Sequence, residues 1–341
     1  MKINKKQRNI ILWAILVICM IMLIWMGAAH GFMSEKEETE NSTDQKRKIA
    51  LITKSTVSAF WKSVYAGAAN AGTAYNMELI FEGPDNEEDY QTQNEMIDKV
   101  VEEGVDVIIF SAVDYKGNAQ AINNAAGKGV KIIIIDSDVD SEMVSCRIGT
   151  DNYNSGCMAG EAVLEDEREE INIGIVNFDK NSDNGQKREE GFRDTVLQDD
   201  RVTIIDTINV ISTTEDAQKG TERMLKEHPE INSIVTFNEW TSLGVGYAVQ
   251  NLDLKDETRV IAFDSNVISV GMLETGEVDA LIVQNPYAMG YLGVETAYKL
   301  INGYTLPNDT IFTDTMKADR NNMYDEECQR RLFAFEKSNK N

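Results

Sequence analysis

The chain has 341 residues and a formal net charge of −24, and 42% of its residues are hydrophobic. That apolar content predicts a buried core, and the length fits a targeting or membrane segment followed by about two domains. A surface this acidic repels nucleic acid and anionic lipid head groups, which argues against nucleic-acid binding.

An apolar segment follows a short basic tail at the amino terminus. Residues 1–9 are rich in Lys and Arg, and residues 10–30 are almost uninterrupted hydrophobic residues, about 30 Å long as a helix and so able to span a bilayer. The basic tail and the acidic run after the segment predict a cytoplasmic amino terminus and an exported remainder. The small residues Gly27, Ala28 and Ala29 leave a cleaved signal peptide as the alternative.

A polar segment follows the apolar one. Residues 31–47 are charged and lack apolar periodicity, as expected of a flexible tether.

The chain has four cysteines. The residues Cys19, Cys146, Cys157 and Cys328 match no zinc spacing. We therefore predict no metal site, and the disulfide state of the last three stays open.

From residue 49 onward, strand patterns alternate with helix patterns. The first set comprises strands 49–53, 78–82, 105–110, 131–135 and 145–149 and helices 60–75, 89–103, 118–128 and 155–164. A second set comprises strands 171–177, 202–208, 233–237, 260–263 and 280–283 and helices 185–196, 215–228, 242–250 and 289–300. Such alternation predicts an α/β protein with parallel sheets, and two successive sets predict two lobes. The alternative is one large doubly wound domain.

Polar residues end the last two strands of the second set. Asp264 follows strand 260–263, and Gln284 follows strand 280–283. Ligands of open α/β sheets bind outside the carboxyl ends of the strands. The two side chains are therefore predicted to face one crevice.

The order of these motifs resembles the type I periplasmic binding proteins, especially the sugar-binding receptors. These proteins share a fold with the ligand-binding core of the lactose-repressor family. The resemblance rests on residues 58–61 (SAFW), 110–114 (FSAVD), 132–136 (IIIID), 181–192 (NSDNGQKREEGF) and 237–239 (FNE). It covers residues 48 to about 320 and implies two Rossmann-like lobes joined by a three-strand hinge.

The resemblance also implies a set of ligand-binding residues. Aromatic rings that sandwich a sugar fall at Phe60 and Trp61, since aromatic faces stack on sugar rings. The polar contacts that it implies are Ser111, Asp136, Gln186, Asn238, Asp264 and Gln284.

Two arginines that grip sugar hydroxyls in the family have other residues at their positions. Ser137 and Gln186 stand there, and Arg188 matches a structural part of the motif. We therefore predict an uncharged-to-negative site for a neutral sugar or polyol, with an amino sugar as a further option.

The resemblance implies lobe boundaries as well. The first lobe is predicted to combine residues 48–150 with 286–311, and the second to combine 151–285 with 312–331. The chain then crosses three times between the lobes.

An enzyme is the competing class of function. The segment 244–249 (GVGYAV) lacks the preceding strand that a dinucleotide fingerprint requires, and the chain has no phosphate loop or nucleophile elbow. We predict no catalytic residue and no cofactor.

The predicted function is that of a monomeric, membrane-anchored solute-binding protein that delivers sugar to an ABC permease. The alternative is a ligand sensor that presents its closed form to a membrane histidine kinase. The same ligand-driven closure of two lobes would serve both roles.

Overall fold

The computed structural model describes residues 46–333, together with Met20 and Met22. The predicted basic tail 1–9, the apolar segment 10–30 (apart from Met20 and Met22) and nearly all of the predicted tether lie outside the described residues. Among the described residues no helix is long and apolar enough to cross a membrane.

Strands and helices alternate along the described chain. The strands are β1 (Lys48–Ile52), β2 (Glu78–Glu82), β3 (Val107–Phe110), β4 (Lys131–Ile135), β5 (Cys146–Gly149), β6 (Ile171–Asn177), β7 (Val202–Asn209), β8 (Ser233–Thr236), β9 (Arg259–Phe263), β10 (Ala280–Val283), β11 (Thr310–Phe312) and β12 (Met316–Asp319). The helices are α1 (Ala59–Ala74), α2 (Tyr90–Glu102), α3 (Ala119–Gly127), α4 (Asn152–Leu164), α5 (Asp183–Val196), α6 (Thr214–Glu227), α7 (Glu239–Leu252), α8 (Val267–Thr275), α9 (Pro286–Ile301) and α10 (Glu326–Leu332).

The strands form two six-stranded sheets with the same layout. The first sheet has the order β11-β5-β4-β3-β1-β2, and the second has the order β12-β10-β9-β8-β6-β7. All pairings are parallel except that β12 runs antiparallel to β10. The prediction of two α/β lobes with mostly parallel sheets is confirmed. We call the lobe of the first sheet the first lobe and the other the second lobe.

Each sheet is buried on both faces. Ile49 and Leu51 of β1 belong to one apolar cluster, whereas Ala50 and Ile52 belong to another, because successive side chains of a strand point to opposite faces. Such continuous apolar strands are typical of parallel sheets covered by helices on both sides.

The sequence patterns missed β11, β12 and α10. These elements are three, four and seven residues long. Segments this short carry too little periodicity for a reading from pattern alone. The two strands close the outer edges of the sheets, one in each lobe.

Close helix pairs complete each lobe. In the first lobe a Cβ atom on Gly290 of α9 would lie 1.9 Å from the carbonyl oxygen of Val64 in α1. In the second lobe a Cβ on Gly156 of α4 would lie 2.0 Å from the carbonyl oxygen of Arg188 in α5. Glycine lets the helix backbones touch at both places. Through the first contact α9 returns the chain to the first lobe after β10.

We expect Gly290→Ala to destabilise the protein, because the added methyl group would force α1 and α9 apart. Overpacking of this kind costs about 1–3 kcal/mol of the free energy of unfolding, which urea denaturation measures. Gly271→Ala in α8 is the matched control, since a Cβ there meets open space and Ala is the better helix former. Equal stability of the two variants would contradict this account of the helix contact.

Candidate functional site

A cavity lies between the two lobes at the carboxyl ends of both sheets. It contains about 320 Å³ of empty space, including its opening to solvent. Its walls from the first lobe are Lys54, Ser58, Phe60, Trp61, Glu87 and Asp136. Its walls from the second lobe and the second crossing are Phe178, Asn184, Arg188, Asn238, Glu239, Trp240, Asp264 and Gln284. We call this space the central cavity.

Two aspartates occupy equivalent strand ends in the two lobes. Asp136 follows β4 with φ 58°, and Asp264 follows β9 with φ 67°. The left-handed backbone is uncommon for a residue with a side chain, although Asp and Asn tolerate it better than most. Backbone hydrogen bonds hold each turn, from Asp136 N–H to the Ile148 carbonyl and from Asp264 N–H to the Ile282 carbonyl. Both carboxylates line the central cavity.

Arg188, which the resemblance assigned to a structural part of the motif, also lines the central cavity and is 1% exposed. Its guanidinium donates to Asn152 Oδ1 at 2.9 Å, to the Phe237 carbonyl at 2.7 Å and to Gln284 Oε1 at 2.8 Å. It also lies 3.6 Å from the carboxylate of Asp136 in the first lobe. The cleft therefore does contain a buried arginine.

The predicted contact Gln186 lies outside the central cavity. It is exposed and borders a surface groove instead. On a helix, residues two apart do not share a face, whereas residues four apart do. Asn184 and Arg188 are four apart on α5 and both line the cavity. That spacing is the signal that could have identified them.

The other predicted residues fall in or behind the cavity wall. The wall includes Phe60, Trp61, Asp136, Asn238, Asp264 and Gln284. Ser111 is buried behind it, with its hydroxyl donating to Asp136 Oδ2 at 3.4 Å. Ser111 is therefore placed to orient Asp136 rather than to form the cavity surface.

Two basic side chains, Lys54 and Arg188, line the cavity, although neither was predicted as a site residue. Lys54 follows β1, is 2% exposed and donates to Ser182 Oγ in the second lobe at 2.6 Å. With Arg188 it faces four acids, which are Glu87, Asp136, Glu239 and Asp264. The acids outnumber the cations, so the net charge of the cavity lining agrees with the predicted uncharged-to-negative site, although two basic groups are present. Lys54 and Glu87 lie in the loops that follow β1 and β2 of the first lobe.

Two glutamates join the lobes directly at the rim of the cavity. Glu87 of the first lobe accepts from Trp61 Nε1 at 2.8 Å and from Ser212 Oγ of the second lobe at 2.9 Å. Glu239 of the second lobe accepts from the backbone N–H groups of Ala59 and Phe60 at 3.2 and 3.0 Å. Those N–H groups begin helix α1, whose partial positive charge favours a carboxylate.

Gln284 connects the cavity to the crossings between the lobes. Its Oε1 accepts from Thr150 Oγ1 at 2.7 Å and from Arg188, while its Nε2 donates to Asp264 Oδ1 at 2.7 Å. Thr150 lies just after β5, where the chain first leaves the first lobe. One amide therefore links two crossings to Arg188 and Asp264 of the second lobe.

Burial changes the acidity of the cavity carboxylates. Burial raises the pKa of Asp264 from 3.8 to about 7, against the lowering effect of Arg188 and of the Gln284 amide. Burial also raises the pKa values of Asp136 and Glu239, although Arg188 and the Phe60 N–H, respectively, act in the opposite direction. These carboxyls are strong hydrogen-bond partners for hydroxyl groups in a dry site.

Metal ligation and disulfides play no visible part in the described residues. No group of three or more His, Cys, Asp or Glu side chains among them is arranged to hold a metal ion. Cys146, Cys157 and Cys328 are each unpaired.

Comparison with known proteins identifies the family. The model of the periplasmic binding protein domain matches residues 49–305, so the chain belongs to this family. The D-ribose/D-allose-binding protein of Pseudomonas aeruginosa is 25% identical over 274 residues, which are 77% of this chain and 85% of that protein.

Two solved structures extend the comparison. A carbohydrate transporter solute-binding protein from Agrobacterium radiobacter, in complex with D-arabinose, superposes with a TM-score of 0.82 and 26% identity over 85% of this chain and 100% of that one. The XylFII-LytSN complex contributes a chain with a TM-score of 0.75 and 27% identity, covering 81% of this chain and 98% of that one.

We expect the stability of the protein to fall as pH rises from 5 to 8, in part because of Asp264. Its pKa is higher in the folded than in the unfolded state, so its contribution is complete below about pH 3.8 and is lost as pH rises towards 7. Asn tolerates the same backbone conformation as Asp264. The Asp264→Asn variant should therefore lose less free energy of unfolding over this pH range, by about 2 kcal/mol. Urea unfolding at several pH values measures this, and parallel curves for both proteins would contradict it.

Proposed function

We propose that the protein is the solute-binding component of an ABC transporter and that it closes around a small neutral carbohydrate. The observation that carries this proposal is the cavity between the lobes, lined by aromatic rings and by hydrogen-bonding groups at strand ends from both lobes. The similarity to ribose-, allose- and arabinose-binding proteins supports the same class of ligand.

The aromatic and polar walls have complementary tasks in this proposal. Phe60 and Trp61 meet edge to face, with ring centroids 4.9 Å apart, at the start of α1. Aromatic side chains of this kind offer an apolar surface to the C–H face of a sugar ring. Asp136 and Asp264 lie on the two lobes and would accept hydrogen bonds from ring hydroxyls, with Asn238 and Gln284 as amide partners.

The charged groups of the cavity favour a neutral ligand over an anionic one, with an amino sugar as a further option. Arg188 lies beside Asp136, and Lys54 lies within reach of the same carboxylate. Glu87 and Glu239 are each satisfied by donors of the protein. The acids still outnumber the cations, so an added phosphate group would be repelled, whereas hydroxyl groups can donate to the acids and accept from the cations.

Closure would move two bodies about the three crossings. We propose that residues 48–150 with 286–311 form one body and residues 151–285 with 312–331 the other, and the membership of the two sheets supports this division except that Phe312 pairs in the first sheet. A ligand that contacts both bodies favours the closed arrangement, because those contacts form together only there. The glutamate contacts across the rim would add to closure.

Anchoring of a monomer by the apolar segment 10–30 remains part of the proposal. The segment would hold the binding domain outside the cytoplasm, close to a permease in the same membrane. A cleaved signal peptide would export the same domain without an anchor.

We expect at least one neutral pentose or hexose to raise the melting temperature of the full chain by several degrees. A ligand at a hundred times its dissociation constant stabilises by about 2.7 kcal/mol. At pH 8, above the Asp264 pKa of about 7, Asp264→Asn should weaken binding of that sugar by roughly tenfold or more, the effect of losing one charged hydrogen bond. The exposed Asp314→Asn should bind as the wild type does. If no neutral sugar shifts the melting temperature, the proposal fails.

Sensing is the second candidate function, and the XylFII-LytSN neighbour favours it. If transport is correct, deletion of the gene should abolish uptake of the identified radiolabelled sugar. A sensor would instead leave uptake at its basal rate and abolish transcription induced by that sugar. Measuring uptake and transcript levels in the same deletion strain separates the two roles, and complementation with the wild-type gene controls for polar effects.

A further inference from the structure

A second cavity adjoins the central cavity. It contains about 440 Å³ of empty space, including its opening to solvent, and shares Phe60, Asp264 and Gln284 as walls with the central cavity. These three side chains border both spaces. We call the second space the side chamber.

The side chamber is built from both lobes and from the second crossing. Ser63 of α1 comes from the first lobe, and Ser265 follows the strand-end Asp264 in the second lobe. Asn285 and Tyr287 come from the crossing and the first turn of α9, and Arg331 comes from α10. The chamber therefore takes its shape from the same lobe arrangement that forms the central cavity.

Arg331 brings a cation with spare hydrogen-bonding capacity to the chamber. Its side chain is 19% exposed, and its Nη1 donates to the carbonyls of Gln284 and Asp314 at 3.5 and 2.9 Å. The carboxylate of Asp314 lies 4.0 Å away but is 89% exposed, so it compensates the charge weakly. A guanidinium has five N–H donors, more than these two carbonyls accept.

The remaining walls combine aromatic and hydroxyl groups. Tyr287 is 39% exposed and accepts a hydrogen bond from Asn70 Nδ2 at 2.8 Å, while its ring stacks near Tyr291. Phe60 and Pro286 add apolar surface, and the serines add small donors and acceptors. Apolar ring faces with a few polar groups between them are suited to a sugar ring.

We propose that the side chamber is a second sugar subsite, so that the preferred ligand is a disaccharide with one ring in each space. This inference rests on the proposed function, since it extends the same binding site. The glycosidic link would pass Phe60, which at 9% has the largest exposed fraction of the three shared walls. A neutral ring suits a chamber that holds both Arg331 and Asp264, because its hydroxyls can accept from one and donate to the other.

Isothermal titration calorimetry of the full chain tests the subsite. The probes are the neutral monosaccharide that binds best and a panel of disaccharides that carry it at either end. We expect at least one disaccharide to bind tenfold or more tightly than the monosaccharide. Ser63→Phe, which fills the chamber, should remove that gain and leave monosaccharide binding within about twofold. Arg331→Ala should weaken only the disaccharide.

Lys62→Phe is the matched control, because it places the same side chain at an adjacent exposed position of α1 outside both spaces. It should bind both ligands as the wild type does. The inference is overturned if no disaccharide exceeds the monosaccharide, or if Ser63→Phe keeps the full disaccharide affinity. Monosaccharide binding without a disaccharide gain refutes the subsite alone, whereas failure of both kinds of sugar refutes the proposed function as well.

Discussion

The buried guanidinium of Arg188 is the constraint on which the rest of the site depends. An arginine keeps its charge in a protein, and at 1% exposure it must obtain all its partners from the fold. It obtains them from Asn152 on α4, from the end of β8 and from Gln284 at the second crossing. Asp136 of the other lobe completes the set at 3.6 Å. The second lobe and the crossing therefore supply the hydrogen bonds of this guanidinium, and the first lobe adds one carboxylate.

Other charged side chains of the cavity also bond to protein groups, which is consistent with the proposed neutral ligand. Glu87 and Glu239 are satisfied across the rim, and Lys54 donates to Ser182 of the opposite lobe. Protein groups thus occupy many of the hydrogen-bonding positions of these charged side chains. In the proposed function, Asp136, Asp264 and the apolar ring faces would recognise the hydroxyls and rings of a sugar.

Whether the sequence predicted a site residue depended on the local pattern in which that residue lies. Asp264 and Gln284 were found because strand ends are visible as the limits of apolar runs, and parallel strands share one functional edge. Gln186 was misplaced because a helix face is fixed only when the whole helix is docked, and a shift of two residues points to the opposite side. Lys54 and Glu87 were missed since surface-type residues in a loop give no sign that an opposing lobe will bury them.

The sequence by itself determined the two α/β lobes, the parallel sheets and the strand ends where the site lies. Each of these features depends on local periodicity, which a run of consecutive residues specifies. Only the tertiary structure decided which residues meet across the cleft, that Arg188 and Lys54 are buried there, and that a side chamber opens beside Phe60. Those features depend on contacts between segments more than a hundred residues apart, such as Lys54 with Ser182, and no local pattern encodes such distances.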